Sequence, residues 1–210
     1  MAMAPELTRQ RQADRSRETR RKLMEATVDC LVEHGWSGTT TTLVAERAGV
    51  SRGAQLHHFR TRNELVTAAV EYVGQESAEQ LLRQSELVTV AADRTHAVVE
   101  LVVDFFVSPM FTAALELWVA ARTDPELKPV VVGLEARLGR QCHRLTVELL
   151  GVDEKQPGVR EMVQATLDLA RGLALANQLT DDSRRRGRIV RQWASTLDAV
   201  LTTSGVKEQS

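Results

Sequence analysis

Prolines, aromatic rings and cysteines are all scarce in this 210-residue chain. Five prolines and twelve glycines are too few for the turn-dense punctuation of an all-β sandwich or barrel. The apolar stretches are short and broken by charges, well below the ~18 consecutive apolar residues of a membrane span. The first residues, Met1-Ala2-Met3-Ala4-Pro5-Glu6, lack the basic-then-apolar pattern of a secretory signal. A soluble, cytoplasmic protein with no membrane partner is therefore expected. The two cysteines, Cys30 and Cys142, lie far apart within helical patterns, which argues against a disulfide framework and a structural zinc site and for buried free thiols. There is no Gly-x-Ser-x-Gly, Cys-x-x-Cys, His-Glu-x-x-His or phosphate-binding glycine loop, so no enzyme chemistry, cofactor or metal is expected.

Alanine, leucine and arginine are abundant, and each is a strong helix former. The net charge of −1 conceals an asymmetry. Residues 1–62 sum to +4 and the remainder to −5, as if one end met a polyanion and the other did something else. A basic end permits nucleic-acid binding without proving it, because charge runs are commonly solvated faces.

The chain reads as about nine helices with recognisable start and stop signals. Leu23, Thr27, Cys30, Leu31 and His34 form one face of a helix from about Ser16 to Gly35. Thr40 and Ser51 are placed to cap short helices over Thr41–Ala48 and Arg52–Phe59, with Gly49 in the turn between them. Thr61 and Glu64 have capping-box spacing before a longer helix. Asp93, Ser108-Pro109 and Asp124-Pro125 open three more. The last of these carries a long apolar stripe that stops at Gly151, and two further helices are expected over about 159–179 and 183–202.

Two short helices joined at a glycine describe a helix-turn-helix, in which the second helix enters the major groove with its N-terminal side chains on base edges. The run Gly35-Trp36-x-x-Thr39-Thr40-x-x-x-Val44-Ala45-x-x-Ala48-Gly49-Val50-Ser51-x-Gly53, followed by His58-Phe59-x-Thr61-Arg62-x-Glu64-Leu65, resembles the N-terminal signature of the TetR family of transcriptional regulators. The resemblance covers about residues 16–65, and elsewhere the chain matches only the family's helical architecture. It implies an all-α homodimer with one helix-turn-helix per subunit and a C-terminal ligand-binding domain. The expected organisation is a flexible basic arm over 1–15, a DNA-binding domain over 16–62, a helical ligand-binding and dimerisation domain over 63–204 and a tail over 205–210.

By that resemblance Arg52, Gly53, Ala54, Gln55 and His57 are the candidates for base contacts, and Thr40, Thr41, Ser51, His58 and Arg62 for phosphate contacts. Independently of any family, Arg52 has the donors for a bidentate contact to guanine, and Thr40 combines a hydroxyl with a helix start. His58 is either a phosphate contact or a packing histidine. Where the family usually has an apolar residue and then Tyr, this chain has Gln55 and Leu56, and Leu56 has no hydroxyl for a phosphate. Arg9, Arg11 and Arg15 either follow the DNA backbone or belong to a solvated tail.

Four of the eight aromatic residues, Phe105, Phe106, Phe111 and Trp118, fall within fourteen residues. With Met110 and Leu115 they are candidates for an apolar effector pocket, alongside plain helix packing. His96, Glu116, Arg122 and His143 are the polar candidates on the same helices, and Cys142 joins the set. The resemblance makes the last two helices the dimer interface, with Ala170, Ala174, Trp193, Leu197 and Val200 as candidates. The Arg184–Arg188 run is read as solvated or paired with Asp181 and Asp182, ahead of a second nucleic-acid patch.

The leading expectation is a ligand-responsive repressor that binds a palindromic double-stranded operator as a homodimer and is released by a largely apolar small molecule. Activation instead of repression stays open within that class. The alternative is a helical enzyme or protein-binding adaptor with a structural helix-turn-helix.

Overall fold

The computed structural model describes residues 3–89 and 93–206, which form nine helices. These are α1 (Met3–Gly38), α2 (Thr41–Arg47), α3 (Arg52–His58), α4 (Arg62–Thr89), α5 (Arg94–Phe106), α6 (Pro109–Ala121), α7 (Leu127–Leu150), α8 (Val159–Ala176) and α9 (Ser183–Val206). No single described helix is long and apolar enough to cross a membrane. The chain divides into two compact units, one formed by residues up to Gly74 with Thr112–Leu134, the other by Gln75–Phe111 with Glu135 onward. The units therefore do not follow a boundary at 62/63, because α4, α6 and α7 each contribute to both.

In the first unit α1, α2 and α3 pack on one another. Leu23, Thr27, Cys30 and Leu31 of α1 are buried, as are Val44 and Ala45 of α2 and Phe59 just past α3. Gly35 interrupts α1 with φ +64° and ψ −176°, a conformation that costs a side-chain-bearing residue dearly. Before that break the helix runs back to Met3, with residues 1–2 outside the described residues, so the part of the expected arm over residues 3–15 is helical. Its side chains support this locally, with Asp14 paired to Arg17 and Arg21 bridging Glu18 and Glu25 at helical spacing. Between α1 and α2, Arg47 bonds Glu33 at 2.5 Å and lies 3.5 Å from Asp29.

The second unit is built on α5, α8 and α9. Val98, Val99, Val102, Val103 and Phe106 of α5 are buried, as are Val163, Leu167, Ala170, Leu173 and Ala174 of α8 and Val190, Ala194 and Leu197 of α9. Asp93 caps α5 by accepting from the His96 amide at 2.9 Å. Arg94 donates Nε to the Leu149 carbonyl at 2.7 Å, satisfying an acceptor at the end of α7 that the helix leaves open. Trp193 Nε1 donates to Thr166 Oγ1 at 2.9 Å, tying α9 to α8. α8 stops at Ala176, short of the expected 179. α9 runs to Val206, so the expected tail over 205–210 begins helical, and residues 207–210 lie outside the described residues. Of the arginine run at the start of α9, Arg185 and Arg186 each pair with Asp182 at 2.7 Å.

Candidate nucleic-acid interface

α2 and α3 are held as a rigid pair by local chemistry. The Thr40 hydroxyl accepts from the Leu43 amide and the Ser51 hydroxyl from the Ala54 amide, each at 3.2 Å, so both caps sit where the sequence places them. Gly49 turns the chain between them at φ +64°, and the Val50 amide donates back to the Ala45 carbonyl at 2.9 Å. On the next helix the Glu64 amide donates to Thr61 Oγ1 at 3.1 Å, while the Glu64 carboxylate accepts from the Arg60 amide at 2.9 Å. That is the capping box with its return bond shifted one residue outward.

On α3, Arg52, Gly53 and His57 point to solvent and Ala54 is half-buried. A Cβ added at Gly53 would meet nothing within 4 Å, so no packing within the chain requires a glycine there. Gln55 is not with them. It is 1 % exposed and its Nε2 donates to the Phe59 carbonyl at 2.9 Å. Residues four apart share a helix face, and Phe59 faces the core, so Gln55 does too. The departure from the family pattern carried this signal: a position that is usually apolar is an inward one. The neighbouring Leu56 is 46 % exposed.

Thr40 and Ser51 are exposed, with their oxygens engaged as caps, and Thr41 is half-buried. His58 is half-buried, edge-on to His57 at 5.3 Å. Burial, then His57 and Arg20, lower its pKa.

Arg62, expected on phosphate, turns inward. Its guanidinium lies 3.9 Å from the centroid of the Trp36 ring, it donates to the Trp36 carbonyl, and burial lowers its pKa. Its Nε is buried without a hydrogen-bond partner. An aromatic face and a carbonyl with a lone pair left beside its bond from the Thr39 amide, at 3.3 Å, compete with solvent for the arginine, and Gly35 breaks α1 just before Trp36. The same break frees the Trp36 amide, which donates to Glu116 Oε2 at 2.6 Å. Glu116, a candidate polar group for the effector pocket, is thus committed to the end of α1, a contact that no spacing rule foretells across 80 residues.

The aromatic cluster divides. A cavity of about 20 Å³ in the second unit is lined by Val102, Phe105, Phe106, Cys142, Leu145, Thr146, Leu149 and Leu167. Phe105, Phe106 and Cys142 were expected there; the other five were not. Phe106 stands edge-on to both Phe105, at 5.2 Å, and Phe111, at 5.8 Å. Burial pushes the Cys142 thiol up to about 11, so it stays neutral, and the Thr146 hydroxyl donates to the Cys142 carbonyl at 2.8 Å. The lining is therefore apolar in effect.

The remaining pocket candidates lie elsewhere. Met110 and Phe111 are buried core, while Leu115, Trp118 and Arg122 belong to the first unit. His96 lines a separate open groove with Asp93, Arg191 and Asp198. His143 bonds Glu154 at 2.7 Å, and Arg160 reaches the same oxygen at 3.0 Å. Those contacts, His143 first, hold the Glu154 carboxyl below its usual range.

Of the dimer candidates, Ala170 and Ala174 are fully buried within the chain, as is Leu197. Ala170 and Ala174 are small residues on the side of α8 that faces the other helices of the same chain. Trp193 and Val200 are half-buried. On α8, Gly172, Leu175 and Ala176 are exposed and Met162, Ala165 and Leu169 half-buried, followed by Leu179 at 92 % exposure.

Residues 23–69 match the family model described as bacterial regulatory proteins, tetR family. The chain is 30 % identical over 187 residues to the HTH-type transcriptional regulator CymR of Pseudomonas putida, covering 86 % of this chain and 90 % of that one. Among solved structures, a TetR-family member from Streptomyces coelicolor superposes with a TM-score of 0.61 at 20 % identity, over 83 % of this chain and 97 % of that one. The multidrug binding protein EbrR complexed with imidazole superposes at 0.58 and 20 % identity, over 83 % and 93 %. A signature ordered from Gly35 to Leu65, a capped helix pair that presents Arg52 and Gly53 to solvent, and a relative matched along nearly its whole length lead to one conclusion: the chain belongs to the TetR family of DNA-binding transcriptional regulators.

Proposed function

We propose that this regulator acts as a homodimeric repressor in the cytoplasm, which binds a two-fold-symmetric operator and leaves it when a small, largely apolar molecule occupies the second unit. The observation that carries the reading is the outward face of α3, where Arg52, Gly53 and His57 stand clear of the protein while Gln55 and Phe59 anchor the opposite side. Arg52 supplies a planar pair of donors for guanine O6 and N7. Gly53, free of any neighbour that demands it, lets the helix approach the floor of the groove. Thr40, Thr41, Ser51 and His58 flank that face and supply contacts to the backbone.

The effector part rests on the apolar lining beside Phe105 and Phe106, and EbrR, of similar fold, is a multidrug binding protein. A cavity of about 20 Å³ holds no more than a water-sized body, whereas small-molecule sites run to about 300–1,000 Å³. The cavity as it stands is therefore the closed form. A ligand that opens it shifts the equilibrium only by its differential affinity for the open form, which is how binding there can release DNA. Self-association rests on the exposed Gly172, Leu175 and Ala176 of α8, with the half-buried Leu169 of α8 and Ile189 and Val200 of α9.

Selection from a random duplex pool tests the reading. The full-length chain should enrich a palindromic sequence and bind it with steeply salt-dependent affinity. Arg52→Ala should relax the base preference at one position of each half-site. Failure to enrich any duplex, or binding indifferent to salt, would overturn it.

A further inference from the structure

Beside the recognition helix lies a groove that the contacts described so far leave unused. Arg9, Gln12, Ala13, Arg15, Ser16 and Thr19 of α1 form one wall, and Ala54, His57 and His58 of α3 the other, around an open space of about 500 Å³. Positions 9, 12, 13, 16 and 19 recur at helical spacing and so share one face of α1, which explains how residues so far apart in sequence line a single wall. The acids of this stretch are drawn off to other arginines: Asp14 pairs with Arg17, and Glu18 is bonded by Arg21 at 2.7 Å. No carboxylate among the described residues lines the groove. Arg20 adds positive charge next to it, with its guanidinium 4.4 Å from the centroid of the Phe59 ring.

Donors predominate in its hydrogen-bonding capacity. The guanidinium groups of Arg9 and Arg15 donate only, and Gln12 and Ser16 can donate as well as accept. The Thr19 hydroxyl proton is spent on the Arg15 carbonyl at 2.9 Å. Ala13, Ser16 and Ala54 are small enough to leave the space open, and Arg9, Arg15, Ser16 and His57 are exposed to solvent. An open, donor-rich groove without carboxylates, next to the helix that reads bases, suits a strand of a polyanion.

We infer that this groove seats one phosphate of the duplex backbone, held by Arg9 and Arg15 from α1 and by His57 from α3. The inference rests on the DNA-binding reading above. Because α1 is helical through this stretch, it holds the attachment points of both arginines along one wall of the groove, and their phosphate contact sets the register of α3 on the duplex.

Replacing single phosphates of the selected operator with uncharged methylphosphonates tests this in the full-length protein. One linkage per half-site should cost the wild type about 10-fold in affinity, the value of a charge-assisted hydrogen bond. The Arg9→Ala/Arg15→Ala double variant should be insensitive at that linkage and keep the wild-type base preferences. Its salt slope for a two-subunit complex should fall by about 2. Both substitutions are at exposed positions, so an unchanged melting curve confirms an intact fold. Wild-type methylphosphonate sensitivity and salt slope in the double variant would overturn the inference. So would a loss of base preference like that of Arg52→Ala, which would make the arginines supports for α3. Failure of the wild type to select any duplex would instead overturn the DNA-binding reading, and the inference with it.

Discussion

The outward face of α3 and the cavity beside α5 are both candidate binding sites, and they stand at opposite ends of readiness. Around α3 the backbone is fixed by two side-chain caps, a glycine turn and the buried Gln55, while Arg52, Gly53 and His57 already face solvent. Nothing has to move before a groove is entered. The cavity lined by Phe105, Phe106 and Cys142 is closed to about 20 Å³. A ligand there must displace packed rings and pay for the contacts that they lose. On the proposed reading, the preformed face holds DNA and the occupied cavity is the costlier state, so release depends on a ligand that offsets that cost.

Phe106→Ala attacks the closed side and should have the largest effect. It removes a ring that is 5 % exposed and stands edge-on to two others. A loss of about 3–5 kcal/mol in urea unfolding is expected, with partial recovery of the melting temperature on adding benzene, which fits a dry enlarged cavity. No recovery would mean that the unit collapses into the space.

Arg52→Ala and Gln55→Ala, one turn of α3 apart in role, separate reading from folding. Arg52→Ala should leave the melting curve in place and lose about 1–3 kcal/mol of discrimination at one base pair. Gln55→Ala should do the reverse, costing about 1–3 kcal/mol of stability through the buried Phe59 carbonyl that it leaves unsatisfied, with the selected base preferences unchanged. An operator preference that shifts in Gln55→Ala would return that residue to the reading face.

Arg62→Ala distinguishes packing from phosphate contact. With its guanidinium on the Trp36 ring and carbonyl, the variant should lose roughly 1–2 kcal/mol of stability and keep the wild-type salt slope of DNA binding. A slope reduced by about 1 per subunit at unchanged stability would place Arg62 on the backbone instead.

The smallest effect is on pH. Burial, then His57 and Arg20, lower the His58 pKa from 6.5, so the folded state favours the neutral ring. The unfolded chain then binds the proton more readily. Stability from this group is present above about 6.5 and is lost as pH falls toward the depressed folded value. Thermal melts from pH 8 to 5.5 should show a decline that His58→Gln lessens. Phosphate beside the ring favours the proton, so operator affinity should rise over the range in which the fold weakens.

How far the chain could be read in advance depended on how local each feature is. The caps at Thr40, Ser51 and Asp93 were legible because each bond spans three residues. Gly49 and Gly151, both at positive φ, were legible as turn and stop for the same reason. The orientation of α8 was not. Ala170 and Ala174 look like a surface for a second subunit until α5 and α9 are seen to cover that side. Arg62 looked like a phosphate ligand because its position matches the family pattern, and nothing near it in sequence points to Trp36, 26 residues away.

The sequence by itself determined the nine helices, the order of the recognition segment and the family. All three depend on periodicity and short-range bonds that the residue order contains directly. Tertiary structure decided which polar side chains on those helices reach solvent, which arginines are spent on aromatic rings, and how small the cavity beside Phe105 and Phe106 is. Each of those outcomes turns on groups brought together from distant parts of the chain, and burial is a property of that assembly, which residue order alone does not display.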